Sequence, residues 1–143
     1  MRTPYISLNM GVVVNQYQRR INQDISRTEG ALTIHQCWIL QYLTEHTDHA
    51  VRQKEIEQIF SIRRSTANTM LMTMEKNGYI RREDDPDDAR AKQLIITEKG
   101  RNASERMTDR LKEYDELMLR GISSEELQIF SDILDRMERN IRK

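Results

Sequence analysis

Two short helical segments joined by a tight turn constrain the fold of this chain most. The sequence predicts a third helix over Gln53–Phe60, a turn at Ser61–Ile62 and a fourth helix that ends at Asn77. Gly78 follows directly, and glycine readily adopts the left-handed conformation that terminates a helix. The third helix is expected to bury its large apolar side chains, Ile56, Ile59 and Phe60. A helix pair joined this tightly predicts a helix-turn-helix unit.

A charged ribbon follows the helix pair. Short β-prone runs at Tyr79–Arg82 and Lys92–Ile96 flank a loop over residues 83–91. Pro86 fits a turn in this loop, because proline lacks the N–H that a central strand needs. Thr97 then begins a new helix as its N-cap. This order predicts a two-stranded hairpin, which is the wing of a winged helix-turn-helix domain.

The remainder of the chain is predicted to be helical. Glycine and proline are scarce, at 5 and 2 residues, whereas strong helix formers abound. Two capping boxes, Thr33 with Gln36 and Ser123 with Glu126, mark the starts of the second and sixth helices. The predicted bounds of the helices outside the helix pair are about 7–27, 33–45, 97–119 and 123–142.

Three of these helices carry apolar stripes at helical spacing. The stripe of the first helix consists of Val13, Tyr17, Ile21 and Ile25. That of the fifth consists of Met107, Leu111, Tyr114 and Met118. That of the sixth has the spacing of a helix–helix seam and consists of Leu127, Phe130, Leu134, Met137 and Ile141. Packing within one small chain cannot easily bury every stripe, whereas a two-fold dimer would.

We therefore expect one domain, residues 1–143, that is mainly α with a small β-wing. Its winged helix-turn-helix core covers about 32–98, and helices at about 7–28 and 100–142 serve dimerisation. The length is that of one ordinary domain. The sequence has no apolar run near the roughly 20 residues of a membrane span and no signal-peptide core, so a cytoplasmic protein is expected. The single cysteine, Cys37, is expected to be a buried inert thiol rather than an oxidant sensor.

The basic residues are unevenly distributed. The formal net charge is zero, with 23 basic and 23 acidic residues, which alone argues against a nucleic-acid partner. Between Ser61 and Arg82, however, the acid Glu75 is outnumbered by Arg63, Arg64, Lys76, Arg81 and Arg82. A local positive face on a neutral protein can bind phosphate.

The fourth helix divides into two arcs when successive residues are placed about 100° apart. The apolar arc, expected to face the core, consists of Ala67, Met70, Leu71 and Met74. The opposite arc consists of Ser65, Asn68, Thr69, Met72, Thr73 and Lys76. Its short polar side chains would let the helix approach base edges, where Asn can pair with adenine and Thr can contact the thymine methyl. A solvated helix face is the alternative reading.

Further DNA contacts are expected from the start of this helix and from the wing. Free amides and the positive dipole end favour a phosphate near the first turn, residues 63–66. Arg90 is the candidate for minor-groove insertion, and Asp88 can hold its guanidinium in one orientation. An ordinary surface salt bridge is the alternative. The complete predicted DNA-binding set is Arg63, Arg64, Ser65, Thr66, Asn68, Thr69, Thr73, Lys76, Arg81, Arg82, Asp88, Arg90 and Lys92.

Five acids crowd the tip of the ribbon: Glu83, Asp84, Asp85, Asp87 and Asp88. Such a cluster repels phosphate unless it points away from the DNA. It either lowers non-specific affinity or leaves only Arg90 and Lys92 to approach the groove, and the sequence leaves both readings open.

The wing and the helix start after it resemble the signature of the MarR family of bacterial transcription regulators. That signature has an Asp and an Arg separated by one residue, and then a Leu-Thr pair and a Gly. The matching residues are Asp88, Arg90, Thr97 and Gly100, with Ile96 in place of the Leu. The resemblance covers about residues 8–142. It implies a homodimer, usually a repressor, that binds a pseudo-palindromic operator in duplex DNA.

Family resemblance also implies a small-molecule effector. Such regulators often release DNA when a small aromatic or anionic compound binds between the dimer helices and the winged domain. Tyr17, His35 and Trp38 could contribute to this pocket, since rings with polar tips suit such ligands. Ordinary core aromatics are the alternative. No metal or cofactor is expected, because His46 and His49 have a permissible ligand spacing but no neighbouring cysteine.

Two other functional classes compete with DNA binding. An enzyme is not expected, since the sequence has no Gly-rich phosphate loop, nucleophile elbow or helical metalloprotease motif. A winged helix that binds a partner protein would not need Arg63, Arg64 and Arg90 on one side. Its binding would also depend less steeply on salt.

Overall fold

The computed structural model describes residues 3–28, 30 and 32–142 and confirms the predicted class, mainly α with a two-stranded wing. Residues 1 and 143, the ends of the predicted domain, lie outside the described residues. The elements are α1 (Ile6–Thr28), α2 (Ile34–Glu45), α3 (Gln53–Ile59), α4 (Arg64–Lys76), β1 (Ile80–Asp85), β2 (Asp88–Ile96), α5 (Glu98–Met118) and α6 (Ser124–Ile141). None of the helices described here is long and apolar enough to cross a membrane.

The chain forms two compact units, Met1–Leu111 and Lys112–Lys143. The first unit contains α1 to α4, the wing and most of α5. Its largest fully buried side chains come from all of these elements: Ile21, Ile25, Ile34, Cys37, Ile39, Leu40, Ile56, Leu71, Met74, Ile80 and Met107. Each contributes about 1.5–3 kcal/mol when buried, so this core fixes the helix pair and the base of the wing.

The second unit contains the end of α5 and α6. Ser123 caps α6 as predicted, because its Oγ accepts from the Glu126 N–H at 3.2 Å and Glu126 accepts from the Ser123 N–H at 2.8 Å. No described side chain of α6 is buried. Phe130 and Ile129, for example, are 52 % and 59 % exposed. The predicted seam of α6 is therefore only partly covered in the single chain, since Leu134 and Met137 are half-buried and Phe130 is exposed.

The apolar stripes of α1 and α5 change from buried to exposed along each helix. In α1, Ile21 and Ile25 are buried, whereas Val13 is 52 % exposed. In α5, Met107 is buried and Met118 is 46 % exposed. Each stripe is therefore buried only in part, and Val13 and Met118 leave apolar surface exposed at one end of each helix.

Local sequence signals place the helix ends well. The Thr33 hydroxyl accepts from the Gln36 N–H, and the Gln36 side chain accepts from the Thr33 N–H, which confirms the capping box. Gly78 has φ +78° after α4, as predicted. Ser61 has φ +49° in the turn between α3 and α4, which is an uncommon conformation for a side chain with a Cβ.

One core prediction in α3 is wrong. Ile56 is fully buried and Phe60 is half-buried, but Ile59 is 52 % exposed. Residues i and i+4 share a helix face, so Ile56 and Phe60 occupy the narrow inward face of this short helix. Ile59 lies at the helix end, to one side of that face.

The strands of the wing are longer than predicted. They extend to a turn at Pro86–Asp87, and the pairs Arg82↔Leu94 and Asp84↔Lys92 are in regular antiparallel register. The next pair is Asp85↔Asp88, so residues 89–91 have no partner across the ladder. Strand ends depend on cross-strand pairing, which local propensity does not encode. The irregularity places Arg90 on a bulged and exposed segment.

Thr97 and Gly100 attach the base of the wing to α5. The Thr97 hydroxyl donates to the Gly78 carbonyl (2.6 Å) and accepts from the Gly100 N–H (3.0 Å), as expected of an N-cap. The Thr97 N–H donates to the Tyr79 carbonyl at 3.1 Å. A Cβ on residue 100 would lie 2.2 Å from that carbonyl oxygen, so glycine alone permits this contact.

Gly100→Ala is therefore expected to lower the free energy of unfolding by about 2–3 kcal/mol, because backbone on both sides of the clash must move. Urea titration followed by circular dichroism measures the change. Gly11→Ala is the matched control, since no atom lies within 4 Å of a Cβ there and alanine favours a helix over glycine. Equal stability of Gly100→Ala and the parent chain would contradict the packing argument.

Candidate nucleic-acid interface

An open groove lies between α3, α4 and the wing. Its basic lining residues are Arg52, Lys54, Arg63, Arg64, Arg82 and Lys92, and its acidic lining residue is Glu57. Ser65 and Asn68 also line it. The groove is therefore strongly positive although the net charge of the chain is zero. A concave basic surface of this kind favours a polyanion.

The two arcs of α4 are oriented as predicted. Ala67, Leu71 and Met74 are fully buried, and Met70 is half-buried. On the opposite arc Asn68 is half-buried, and the exposed residues are Ser65, Thr69, Met72, Thr73 and Lys76. Apart from Met72 and Lys76, the side chains that the helix presents outward on this arc are short and polar.

The hydroxyls of Thr69 and Thr73 donate to backbone carbonyls one turn earlier, those of Ser65 and Thr69, each at 3.0 Å. Their hydrogens are therefore occupied, and the oxygens are left to accept. At the start of the helix, the N-cap residue Arg63 makes no side-chain capping bond. Thr66 and Arg64 are exposed in the same turn, so the first amides are available to an anion.

Arg82 lies beside Asn68 at the floor of the groove. Its Nη1 donates to Asn68 Oδ1 at 3.4 Å, and its backbone N–H donates to Glu75 Oε2 at 3.1 Å. Asn68 Nδ2 donates to Met72 Sδ at 3.3 Å. The sequence predicted both Asn68 and Arg82 as site residues, but it did not predict that they contact each other.

Three of the five acids at the ribbon tip form ion pairs with cations of the protein itself. Asp84 forms an ion pair with Lys92 across the ladder, and Glu83 forms one with Arg81 at 3.2 Å. Asp85 forms a third pair, with Arg52. The acidic cluster therefore does not present five unpaired charges to a ligand. The same ion pairs partly neutralise Lys92 and Arg81, so these two cations attract a phosphate less strongly.

Arg52 and Asp85 connect the start of α3 to the wing. Arg52 donates to Asp85 Oδ2 from Nη2 at 2.6 Å and from Nε at 2.7 Å, and the Asp85 side chain is almost fully buried. The other carboxylate oxygen accepts from the Asp87 N–H at 2.9 Å. The hydrogen bond from the Asp87 N–H has the largest effect on the pKa of Asp85, and together with the bonds from Arg52 it holds that pKa below its usual range. The carboxylate thus stays ionised and is turned into the protein.

Backbone pairing between the residues just before α3 and strand β2 reinforces this connection. The Leu94 N–H donates to the Val51 carbonyl at 2.8 Å, and Arg52 forms an antiparallel bridge with Gln93. Arg52 and Lys54 line the groove, although the sequence pattern did not predict them as site residues. The sequence contains no local signal for them, because the partner of Arg52 is 33 residues away.

Asp88 orients the backbone of Arg90, where the sequence had predicted a bond to the guanidinium. Its Oδ1 accepts from the Arg90 N–H at 3.0 Å, and its Oδ2 lies 4.0 Å from Arg52 Nη1. A carboxylate two residues before an amide readily closes this local turn. The Arg90 side chain is exposed on the bulge of β2.

A cluster of titratable side chains lies between α2 and α3. Tyr42 donates to Glu55, and His49 bonds to Glu55 at 2.7 Å through Nε2 and to Asp48 at 3.0 Å through Nδ1. Its bonds to Glu55 and Asp48 raise the pKa of His49. The pKa of Glu55 is lowered overall. Burial alone would raise it, but the hydrogen bonds from Tyr42 and His49 together have the larger, opposite effect. Burial and the bond to Glu55 raise the pKa of Tyr42 to about 12.

The raised pKa of His49 predicts a pH-dependent stability. Protonated His49 stabilises the fold fully below its unfolded pKa of about 6.5, and this contribution is lost as pH rises through the higher folded value. Urea unfolding at about pH 5.5 and about pH 8.5 should show a smaller difference in His49→Gln than in the parent chain. His35→Gln is the control, since His35 bonds to Gln18 and not to a carboxylate. An unchanged difference in His49→Gln would contradict the assignment.

The predicted effector residues lie in the first unit. Tyr17, His35 and Trp38 are each half-buried. The rings of His35 and Trp38 meet edge to face with centroids 5.4 Å apart. Cys37, beside them, is buried, as predicted. No group of three or more His, Cys, Asp or Glu in the described part of the chain is arranged to hold a metal ion.

Comparison with known sequences links the groove region to one family. Residues 32–91 match the model described as "MarR family". The uncharacterised HTH-type transcriptional regulator YybA of Bacillus subtilis is 28 % identical over 91 residues, which are 64 % of this chain and 61 % of that protein. The chain thus spans about three fifths of the length of the curated relatives it matches.

Comparison with solved structures extends the similarity to nearly the whole chain. The transcription regulator MarR from Oenococcus oeni is 27 % identical, with a TM-score of 0.80 over 94 % of this chain and 99 % of that one. MepR of S. aureus, in a complex with DNA, has a TM-score of 0.87 at 20 % identity, over 96 % of this chain and 97 % of that one. The second likeness concerns the fold alone.

Proposed function

Because this chain belongs to the MarR family of winged helix-turn-helix transcription regulators, we propose that it binds a pseudo-palindromic operator in duplex DNA as a homodimer. The observation that carries the proposal is the basic groove bounded by the polar arc of α4 and by the wing. MepR, which has the same fold, was solved in complex with DNA. The protein works in the cytoplasm, where its DNA lies.

In this proposal α4 enters the major groove. Its outward side chains are short, so the helix backbone can come within hydrogen-bonding reach of base edges. Arg63 and Arg64, both exposed at the start of the helix, approach phosphates together with the free amides of the first turn. Thr66, Thr69, Thr73 and Lys76 complete the contacts of the helix.

The wing reaches an adjacent minor groove through Arg90. A narrow minor groove has an enhanced negative potential that attracts an arginine side chain. The bulge of β2 carries Arg90 outward, and the bond from its N–H to Asp88 fixes the backbone there. Arg81, Arg82 and Lys92 contribute positive charge along the ribbon.

Arg90→Ala is expected to weaken DNA binding at least about tenfold, or about 1.4 kcal/mol, without changing stability. The probe is a duplex that the parent protein selects from a random pool, labelled for fluorescence anisotropy. Arg20→Ala, which removes an exposed cation from α1, is the matched control and should keep the parent affinity. Equal affinities of Arg90→Ala and the parent would reject the minor-groove role.

The homodimer is supported by apolar surface at both ends of the chain. In α1, Leu8 and Val13 are 51 % and 52 % exposed, and in α6, Ile129 and Phe130 are 59 % and 52 % exposed. Apolar surface of this extent on two helices is typical of an interface. A two-fold dimer would place two copies of α4 about 34–36 Å apart, one turn of DNA.

Light scattering at micromolar concentration should give twice the chain mass of 17.0 kDa. A single-chain mass at that concentration would contradict the dimer.

The proposed regulator is a repressor that a small aromatic or anionic compound releases from DNA. Tyr17, His35 and Trp38 are the candidate contacts, because they are half-buried rings with polar atoms. Binding of a small-molecule effector is tested by measuring the melting temperature of the protein with each member of a set of aromatic acids. Failure of every compound to raise the melting temperature would count against it.

A further inference from the structure

The side-chain amide of Asn68 is held from two sides. Its oxygen accepts from Arg82 Nη1 at 3.4 Å, and its nitrogen donates to Met72 Sδ at 3.3 Å. Rotating the amide by half a turn would place its N–H groups against the guanidinium, which has no acceptor. The oxygen of Asn68 therefore faces β1, and its nitrogen faces the next turn of α4.

Arg82 is itself fixed in place. Its backbone N–H donates to Glu75, and the residue pairs with Leu94 across the wing. The guanidinium atoms Nε and Nη2 are buried and have no hydrogen-bond partner among the described residues. The permanent charge of Arg82 is thus directed at Asn68, whereas the exposed Arg63 and Arg64 are placed to meet phosphates.

We infer that Arg82 is a positioning residue that determines which base Asn68 reads, an inference that rests on the proposed binding of duplex DNA. Bidentate recognition of adenine requires the amide oxygen to accept from adenine N6 while the nitrogen donates to N7. Arg82 competes for that oxygen and brings a positive charge next to it.

Because Arg82 occupies its oxygen, Asn68 consequently presents its second amide N–H, a donor, to a base. Guanine offers two acceptors, N7 and O6, on its major-groove edge, whereas adenine places its N6 donor beside the cation. The Asn68–Arg82 pair favours guanine over adenine at the base that faces Asn68. This differs from the adenine preference that the sequence alone suggests for an outward Asn.

Selection of binding sites from a random duplex pool tests the inference. The position read by Asn68 is the one whose base preference disappears in Asn68→Ala. The parent protein should prefer guanine there. In Arg82→Met, which keeps the apolar stem and frees the Asn68 oxygen, the ratio of guanine to adenine affinity at that position should fall at least about tenfold. Preferences at the other positions should remain, and Arg101→Met, an exposed cation of α5, should change none.

Arg82→Lys serves as the second variant, and it carries the test if Arg82→Met does not fold. It keeps the positive charge but loses the planar guanidinium that bonds to the Asn68 oxygen, so the ratio of guanine to adenine affinity should fall, by less than in Arg82→Met. An adenine preference in the parent, an unchanged preference in the Arg82 variants, or a uniform loss of affinity for all sequences would overturn the inference. A parent protein that enriches no motif would instead reject the proposed DNA binding.

Discussion

The ion pair between Arg52 and Asp85 determines how the wing is joined to the helix pair. A buried carboxylate is costly unless a cation and hydrogen-bond donors satisfy it, and Asp85 has both in Arg52 and the Asp87 N–H. The pair turns the most central acid of the ribbon inward. It also brings Val51 and Arg52 alongside β2, where the Val51 carbonyl accepts from the Leu94 N–H and Arg52 forms a β-bridge with Gln93.

The base of the wing has its own attachment. Thr97 bonds to carbonyls of residues 78 and 79, and the absence of a side chain at Gly100 lets α5 begin against the same backbone. The wing is thus attached near its tip by the Arg52–Asp85 ion pair and at its base by Thr97 and Gly100, so its conformation is fixed before DNA binds. The bulge that carries Arg90 extends from this fixed ribbon. Preorganisation lowers the entropy lost on binding, which suits a segment proposed to enter a groove of DNA.

The sequence predicts features that depend on neighbours along the chain. Capping boxes, the glycine after α4 and the two arcs of that helix are of this kind, and all are present. Features that depend on distant partners were missed or only partly predicted. The ion pair of Arg52 joins residues 33 positions apart, and the contact of Arg82 with Asn68 joins residues 14 positions apart. The register of the wing likewise depends on which residues pair across the two strands. The exposure of Ile59 was missed because it depends on which face of a short helix the core covers.

The salt dependence of affinity for duplex DNA tests the central claim most directly, because contacts from a basic groove to phosphates release counterions. We expect the logarithm of the binding constant to fall linearly with the logarithm of salt concentration, with a slope of about −0.9 for each phosphate neutralised. The groove cations outside the Arg52–Asp85 and Lys92–Asp84 ion pairs, which are Lys54, Arg63, Arg64 and Arg82, should give a steep line. An affinity for duplex DNA that is absent, or that stays flat as salt increases, would contradict the account.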